Sequence, residues 1–197
     1  MKEKILNTAI EEFLTYGFKS VTMDDIAEKL AISKKTIYTF YKNKTSLVEA
    51  TVMAVFDKIS FGIDHICSLE KNAIEELFNV KEFLIENLKG EKSSPQFQLK
   101  KYYPKLFLKL KKLQFEVMQD CVSENLKRGI KDNLYRNDIE IGFITRIYFS
   151  GMMAIKDNEL FPNGKTNMKF LMETFLDYHI RAIATEKGIK KLNQLLK

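Results

Sequence analysis

Apolar residues recur at every third or fourth position along almost the whole chain, and few residues that break helices interrupt them. Only 8 glycines and 3 prolines occur among the 197 residues. No segment of useful length alternates apolar and polar residues as a half-buried strand would. This spacing is typical of amphipathic helices, so the sequence predicts an all-α fold. The longest predicted helices cover Lys2–Tyr16, Lys44–Ser68, Ala73–Leu88, Pro104–Lys131 and Asn167–Glu186.

The remaining predicted helices are short, or they have weaker boundary signals. One covers Gln96–Tyr102, after a break at Gly90 and Ser93-Ser94-Pro95. Another is capped by Asp138 and runs to about Lys156, before a loop at Phe161-Pro162-Asn163-Gly164. A short amphipathic tail ends the chain.

Four capping signals divide the first fifty residues into short helices. Gly17 follows the first helix, at the position where a left-handed residue commonly ends a helix. Thr22 with Asp25 resembles a capping box, Ser33 is a good N-cap for a helix through about Tyr41, and Asn43 can cap the next helix. Two short helices joined by a tight turn at Ala31-Ile32, after a longer helix, are the plan of a helix-turn-helix.

The third predicted helix has one apolar face and one face rich in lysine and hydroxyl groups. Ile37, Phe40 and Tyr41 share the apolar face by their spacing. Lys34, Lys35, Tyr38 and Thr39 then point outward, with no acid beside them in the sequence. Ammonium and hydroxyl groups are suited to phosphate oxygens and base edges, so we expect this face to bind nucleic acid. A merely solvated lysine face is the alternative.

Residues 5–47 resemble the DNA-binding domain of TetR-family transcriptional regulators. The segments that carry the resemblance are Ala9 with Phe13, Tyr16-Gly17-Phe18, Thr22-Met23-Asp24-Asp25-Ile26-Ala27, Ser33-Lys34-Lys35-Thr36-Ile37-Tyr38 and Phe40-Tyr41-Lys42-Asn43-Lys44. The chain departs from the family pattern at Ala31, where the family usually has glycine in the turn. If the turn requires positive φ, alanine there costs on the order of 1 kcal/mol.

By this resemblance, the third helix reads the major groove of double-stranded DNA. The residues implied in DNA binding are Thr22, Ser33, Lys34, Lys35, Thr36, Tyr38, Thr39 and Lys44. Lys34, Lys35 and Thr39 are expected near bases, and Thr36, Tyr38 and Lys44 near phosphates. Lys44 lies in the first turn of its helix, where the macrodipole disfavours a cation and a bound phosphate would reverse the penalty.

The resemblance also implies two domains, with a DNA-binding domain at residues 1–47 and a helical domain for effector binding and dimerisation at residues 48–197. The helices predicted over Asp138–Lys156 and Asn167–Glu186 form the expected dimer face, because the first is apolar on most sides and the second carries an apolar stripe. The interface residues are Ile144, Ile147, Tyr148, Gly151, Phe175, Leu176 and Ile180. The alternative is that these faces are buried within one chain.

An adaptable apolar pocket for a small apolar or amphipathic effector is expected among the middle helices. Its candidate lining residues are Phe83, Tyr102, Tyr103, Phe107, Met118, Cys121, Phe149 and Met153. The same residue types at helical spacing also form ordinary protein cores, and that alternative stays open.

Composition and motifs restrict the remaining possibilities. The net charge of +6 and the sequence pI of about 9.1 favour a polyanionic partner. Cys67 and Cys121 form no CxxC pattern, so we expect two reduced, buried thiols and no metal site. No signal peptide or membrane span is evident, which predicts a cytoplasmic protein. No catalytic or cofactor-binding motif stands out, so no enzyme activity is expected.

The sequence therefore predicts a ligand-responsive repressor that binds a palindromic DNA operator as a homodimer. Two other classes stay open. One is a DNA-binding or architectural protein that responds to no ligand. The other is a helical small-molecule carrier or enzyme whose basic hairpin is incidental.

Overall fold

The computed structural model describes residues 1–88, 95–157, 159–162 and 167–196 of the chain. Over these residues the fold consists of ten α-helices without a β-strand, which confirms the predicted fold class. The helices are α1 (Lys2–Tyr16), α2 (Met23–Lys29), α3 (Lys34–Tyr38), α4 (Lys44–Ser68), α5 (Ala73–Leu88), α6 (Pro95–Tyr102), α7 (Pro104–Lys131), α8 (Ile141–Ala154), α9 (Met168–Ile183) and α10 (Glu186–Leu195).

Three predicted helix boundaries are wrong. The third helix ends at Tyr38, because a tight turn follows in which Phe40 N–H donates to the Ile37 carbonyl at 3.0 Å. Glu140, and not Asp138, caps α8 by accepting from Gly142 N–H at 3.0 Å and from Phe143 N–H. The helix predicted over Asn167–Glu186 ends at Ile183, and Thr185 caps a separate helix, α10, in the predicted amphipathic tail. The predicted breaks at Gly90 and Ser93-Ser94, and the Asn163-Gly164 part of the predicted loop, lie outside the described residues.

The chain divides into two compact units of packing. Unit 1 consists of Met1–Ile59 with Leu88–Leu113, and unit 2 consists of Ser60–Asn87 with Gln114–Lys197. Both α4 and α7 therefore contribute residues to each unit. These units are defined by packing. The functional boundary at residue 47 stays a prediction.

Unit 1 has a core formed by α1 to α4 and by the segment around α6. Ile5, Phe13, Ile26 and Ile37 have no exposed surface. The α6 segment joins this core through Leu99, Leu106 and Leu110. Gly17 has a φ of 95°, and the Gln98 amide covers it so closely that a Cβ would overlap it. Gln98 Oε1 also accepts from Lys19 N–H at 3.2 Å, which fixes the turn after α1.

Unit 2 has its own core, in which apolar residues of α5 and α7 to α10 pack together. Leu126, Leu176 and Ile180 are almost fully buried there. Cys67 and Cys121 are both half-buried in this unit and form a disulfide with Cα atoms 6.7 Å apart. The expectation of two reduced, buried thiols is therefore wrong, because the fold brings the last turn of α4 next to the middle of α7.

His179 lies in the core of unit 2 among aromatic rings. Only 5% of the residue is exposed, and its ring centroid is 4.8 Å from that of Tyr148 and 5.9 Å from that of Phe175. Burial lowers the pKa of His179 to about 4, because the apolar surroundings disfavour the charged imidazolium. This histidine is a core residue.

The buried imidazole predicts a stability that depends on pH. The unfolded chain takes up the His179 proton near pH 6.5 but the folded chain only near pH 4, so acid favours unfolding. We expect this group to remove about 3 kcal/mol from the free energy of unfolding as the pH falls through that window. Denaturant melts across this pH range should show the loss.

The control for this effect is a comparison of two variants. His179→Phe fits the aromatic surroundings and should lose this part of the pH dependence, whereas the exposed His65→Gln should keep it. Equal pH dependence in His179→Phe and the wild type would contradict the assignment.

None of the helices that the structure describes combines the length and the apolar character needed to cross a membrane.

Candidate nucleic-acid interface

The second helix begins at a complete capping box. Thr22 Oγ1 accepts from Asp25 N–H at 3.2 Å, and Asp25 Oδ2 accepts from Thr22 N–H at 2.7 Å. These hydrogen bonds hold the Asp25 carboxylate in its charged form and lower its pKa. The predicted box is present, and it fixes the start of α2 beside the surface that carries α3.

The turn between α2 and α3 requires a left-handed residue. Ala31 has a φ of 52°, where an L-residue with a Cβ is strained. Its N–H donates to the Glu28 carbonyl at 2.9 Å, and Ile32 N–H donates to the Ala27 carbonyl at 3.0 Å. The tight turn is therefore formed with alanine at the position where the family usually has glycine.

Ala31→Gly should raise the free energy of unfolding by about 1 kcal/mol, because glycine adopts this backbone conformation without a Cβ clash. Chemical denaturation measures the change. Ala50→Gly, in the middle of α4, makes the same substitution in helical backbone and should lower stability by a similar amount. A loss of stability in Ala31→Gly would show that the turn tolerates alanine without cost.

The third helix is held in place by its N-cap, Ser33, and by the buried side chain of Ile37. Ser33 Oγ accepts from Thr36 N–H at 3.1 Å and lies 2.9 Å from Thr36 Oγ1. Ile37 is fully buried against the unit 1 core. Tyr41 is also buried, but Phe40 is 41% exposed and does not belong to the apolar face that the sequence predicted. The early end of α3 at Tyr38 places Phe40 outside the helix and accounts for the difference.

The outward face of α3 presents the predicted lysine and hydroxyl groups. Lys34, Lys35, Tyr38 and Thr39 are all exposed, while Thr36 is half-buried. Thr39 Oγ1 donates to the Thr36 carbonyl at 2.7 Å, so its hydroxyl is oriented by the helix. The fold thus brings these five predicted residues together on one short helix.

One expectation about this face is wrong, because an acid does pair with one of its lysines. Lys34 Nζ lies 2.7 Å from Asp24 Oδ2, and this hydrogen bond raises the pKa of the Lys34 ammonium. Asp24 is ten residues away on α2, so inspection of the α3 sequence alone could not find the pair. Within the described part of the chain, no ion pair involves Lys35.

The Lys44 ammonium contacts groups within the protein that the sequence did not indicate. Its half-buried Nζ donates to the Lys19 carbonyl at 3.1 Å and lies 5.9 Å from the centre of the Phe13 ring. Burial lowers the pKa of this ammonium, and the nearby Asp25 carboxylate partly opposes that effect. Lys44 therefore has a structural role between α4 and the turn after α1, and its phosphate contact stays a prediction.

The predicted pocket residues are found in two separate sets. Tyr103 and Phe107 pack on the unit 1 core, with the Tyr103 ring 6.3 Å from Phe18, and Tyr102 is 38% exposed in the same unit. In unit 2, Phe83 covers Gly62, Phe149 packs on Phe115 at 5.1 Å and Cys121 is bonded to Cys67. Met118 packs on the unit 2 core and Met153 is half-buried.

A surface cleft in unit 2 lies elsewhere. Its volume is about 650 Å³, and its lining is mainly polar and basic. The lining residues are Asn72, Asn133, Leu134, Thr185, Glu186, Lys187, Lys190, Lys191 and Gln194. None of the predicted pocket residues lines it, so the effector pocket stays a prediction.

The predicted dimer residues differ in exposure. Leu176 and Ile180 are buried in their own chain, as is Tyr148, so these three have little surface to offer a partner. Ile144 and Phe175 are half-buried, and Gly151 lets the Phe175 ring approach α8 closely. Ile147 is 47% exposed and is the member of the set with free apolar surface.

Other exposed apolar residues lie on the same two helices. Phe143 is 59% exposed, one turn before Ile147 on α8. Phe170 and Tyr178 on α9 are 59% and 71% exposed. Helical spacing alone does not distinguish these exposed positions from the buried ones, because α8 is apolar on most of its sides.

The fold and this surface define the class of protein. A capped helix, a tight turn and a second helix with a buried apolar face and an exposed basic face form a helix-turn-helix DNA-binding domain. Residues 5–51 match the family of "Bacterial regulatory proteins, tetR family". Over this N-terminal segment the chain is similar to the TetR family of transcriptional regulators.

Similar proteins support this family at two levels. The uncharacterised HTH-type transcriptional regulator YhgD of Bacillus subtilis is 31% identical over 86 residues, which are 42% of this chain and 45% of YhgD. IcaR of Staphylococcus aureus, the negative transcriptional regulator of the biofilm operon icaADBC, is 37% identical over 60 residues, which are 30% of this chain and 32% of IcaR. The matches thus span less than half the length of these curated relatives.

Solved structures extend the likeness to nearly the whole fold. SmeT, the repressor of the multidrug efflux pump SmeDEF of Stenotrophomonas maltophilia, matches with a TM-score of 0.73 at 15% identity, over 95% of this chain and 92% of SmeT. A transcriptional regulator from Cytophaga hutchinsonii matches with a TM-score of 0.74 at 18% identity, over 93% of this chain and 98% of the regulator. At these identities the likeness concerns the fold.

Proposed function

We propose that this protein is a transcriptional repressor that binds an operator of double-stranded DNA. The observation that carries the proposal is the exposed face of α3, where Lys34 and Lys35 lie beside the hydroxyl groups of Tyr38 and Thr39. Ile37 anchors the helix in the core. Such a face can neutralise phosphates and also present donors to base edges. Repression is proposed because IcaR is named a negative regulator and SmeT a repressor.

The proposed protein acts in the cytoplasm as a homodimer on a two-fold symmetric operator. Two-fold symmetry would place two copies of α3 in successive major grooves, with half-site centres about 34–36 Å apart. The exposed residues Phe143, Ile147, Phe170 and Tyr178 on α8 and α9 support this, since a second copy of the chain would cover them. The proposal includes no catalytic activity.

The effector of the proposed repressor is a small apolar or amphipathic molecule. Its binding would favour a dimer conformation that fits the operator poorly, which requires different affinities of the effector for the two conformations.

A second candidate is a DNA-binding protein that responds to no ligand. The observation in its favour is that predicted pocket residues such as Tyr103 and Phe149 make ring contacts within their own units. Operator affinity measured across a panel of apolar metabolites distinguishes the two candidates. An affinity that is the same with every compound would favour the second.

Selection of bound sequences from random duplex DNA tests the proposed function. The proposal expects a two-fold symmetric consensus that persists as salt is raised, although overall affinity falls with counterion release. Enrichment of no sequence, with binding that disappears steeply as salt rises, would indicate a nonspecific polyanion binder. That result would overturn operator recognition.

A further inference from the structure

Two cysteines that are far apart in the sequence meet in unit 2. Cys67 lies in the last turn of α4 and Cys121 in the middle of α7, and the two are separated by 54 positions in the sequence. Their Cα atoms are 6.7 Å apart, within the range that a disulfide spans, and the structure pairs their sulfur atoms. Both residues are half-buried, so a small solute can reach them without unfolding the unit.

A buried carboxylate lies next to the sulfur atoms. One oxygen of Glu76 and the two sulfur atoms are all within 4.8 Å of one another, a spacing that could also hold a metal ion. Glu76 is 1% exposed, and both its oxygens are already used: Asn125 Nδ2 donates to one at 2.8 Å and the Arg128 guanidinium to the other. Because the carboxylate is satisfied by these partners, the sulfur atoms are left to react with each other.

The hydrogen bonds of the polar network around Glu76 do not involve the cysteines. Asn125 Nδ2 also donates to the Ala73 carbonyl at 2.8 Å, and the Tyr135 hydroxyl donates to Asn125 Oδ1 at 3.2 Å. These bonds hold the start of α5 against α7 whether or not the disulfide is present. The fold of unit 2 is therefore expected to survive reduction, which a reversible modification requires.

We propose that Cys67 and Cys121 are a reversible thiol–disulfide modification site through which oxidation changes the DNA affinity of the protein. The oxidant class is a low-molecular-weight disulfide. One cysteine thiolate attacks a sulfur of that disulfide and forms a mixed disulfide with release of one small thiol. The second cysteine thiolate attacks the mixed disulfide and releases the other small thiol. Two protein thiols are thus oxidised by two electrons, and one small disulfide is reduced to two small thiols, which take up the two protons.

The cross-link lies on the helix that follows α3 along the chain. The helix that ends next to Cys67 is α4, which begins at Lys44, six residues after α3 ends at Tyr38. Oxidation fixes the last turn of α4 to α7, and reduction releases it. This part of the proposal rests on the proposed function, because it requires that α3 binds DNA.

The first measurement is made without DNA, on the full chain reduced with dithiothreitol and then treated with oxidised glutathione. We expect two reactive thiols before treatment, none after it, a monomer-chain mass lower by about 2 Da, and full recovery of both thiols on reduction. The oxidised form should melt on the order of 10 °C higher, because the cross-link restricts the unfolded chain.

The second measurement compares the affinity of the two forms for a selected DNA duplex. We expect a difference of at least about fivefold. The Cys67→Ser/Cys121→Ser variant should bind DNA but show the same affinity and melting temperature under both treatments.

Several results would overturn the proposal. Thiols that stay reduced or carry glutathione adducts would exclude the internal disulfide, and reduced protein that retains one equivalent of Zn²⁺ through dialysis would indicate a metal site instead. Equal DNA affinities of the two forms would overturn the regulatory effect. If neither form binds any duplex, the proposed function fails, while the thiol count and the melting shift still decide whether the modification site exists.

Discussion

Lys35→Ala is expected to weaken binding to the selected DNA duplex by between about fivefold and a hundredfold, and to relax the base preference at one position in each half-site. The reason is that Lys35 is exposed on the outward face of α3 and has no ion-pair partner in the described part of the chain. A side chain in direct contact with a base contributes about 1–3 kcal/mol of discrimination. Fluorescence anisotropy with the consensus duplex and with duplexes changed at single positions measures both effects.

Lys34→Ala provides a matched comparison on the neighbouring residue. Its effect should be smaller, because the Lys34 ammonium must leave the Asp24 carboxylate at 2.7 Å before it contacts DNA. Asp24→Asn should strengthen binding for the same reason, and Lys58→Ala, which removes one positive charge from exposed α4 surface, should change affinity little. A uniform loss across all sequences in Lys35→Ala would reassign this lysine to a phosphate contact.

Ile147→Glu is expected to convert the proposed homodimer into monomers, with a dissociation constant raised at least about a hundredfold. Ile147 is 47% exposed on α8, next to the exposed Phe143 one turn earlier. In a two-fold interface the substitution occurs twice, and a carboxylate buried without a partner costs several kcal/mol. Sedimentation equilibrium at micromolar concentration measures the molar mass.

Phe61→Glu is the matched control for this variant. It makes the same change from an apolar residue to an acid at a position that is 78% exposed, but on a different helix, α4. The Phe61→Glu protein should keep the dimer mass. A dimer mass retained by Ile147→Glu would exclude this face as the interface.

Local signals in the sequence predicted most helix starts and the exposed face of α3. Capping residues follow simple rules, and the capping box at Thr22, the cap at Ser33 and the left-handed Gly17 were therefore all predictable. The exposed face of α3 was predictable for the same reason, because Ile37 is buried and helical spacing then sets the direction of its neighbours. The role of each exposed side chain toward DNA stays a prediction.

Contacts between distant segments could not be predicted from a single sequence. The Lys34–Asp24 ion pair and the Cys67–Cys121 disulfide depend on how helices pack, and no local pattern encodes them. For the same reason, the sequence does not show which residues of a mostly apolar helix are exposed. Ile147 and Ile180 were both predicted in the dimer interface, but only Ile147 is exposed. Phe40 was misplaced because the end of α3 depends on a turn with weak sequence signals.

The participation of α6 in the core of unit 1 has a consequence for the evolution and engineering of this protein. Leu99 is 2% exposed in that core, and Gln98 covers Gly17. A recombination event that exchanged only the first fifty residues would separate the helix-turn-helix from the core residues that the α6 segment contributes. A chimera that joins this helix-turn-helix to the rest of another protein should therefore keep the α6 segment together with α1 to α4, although the two are not continuous in the sequence.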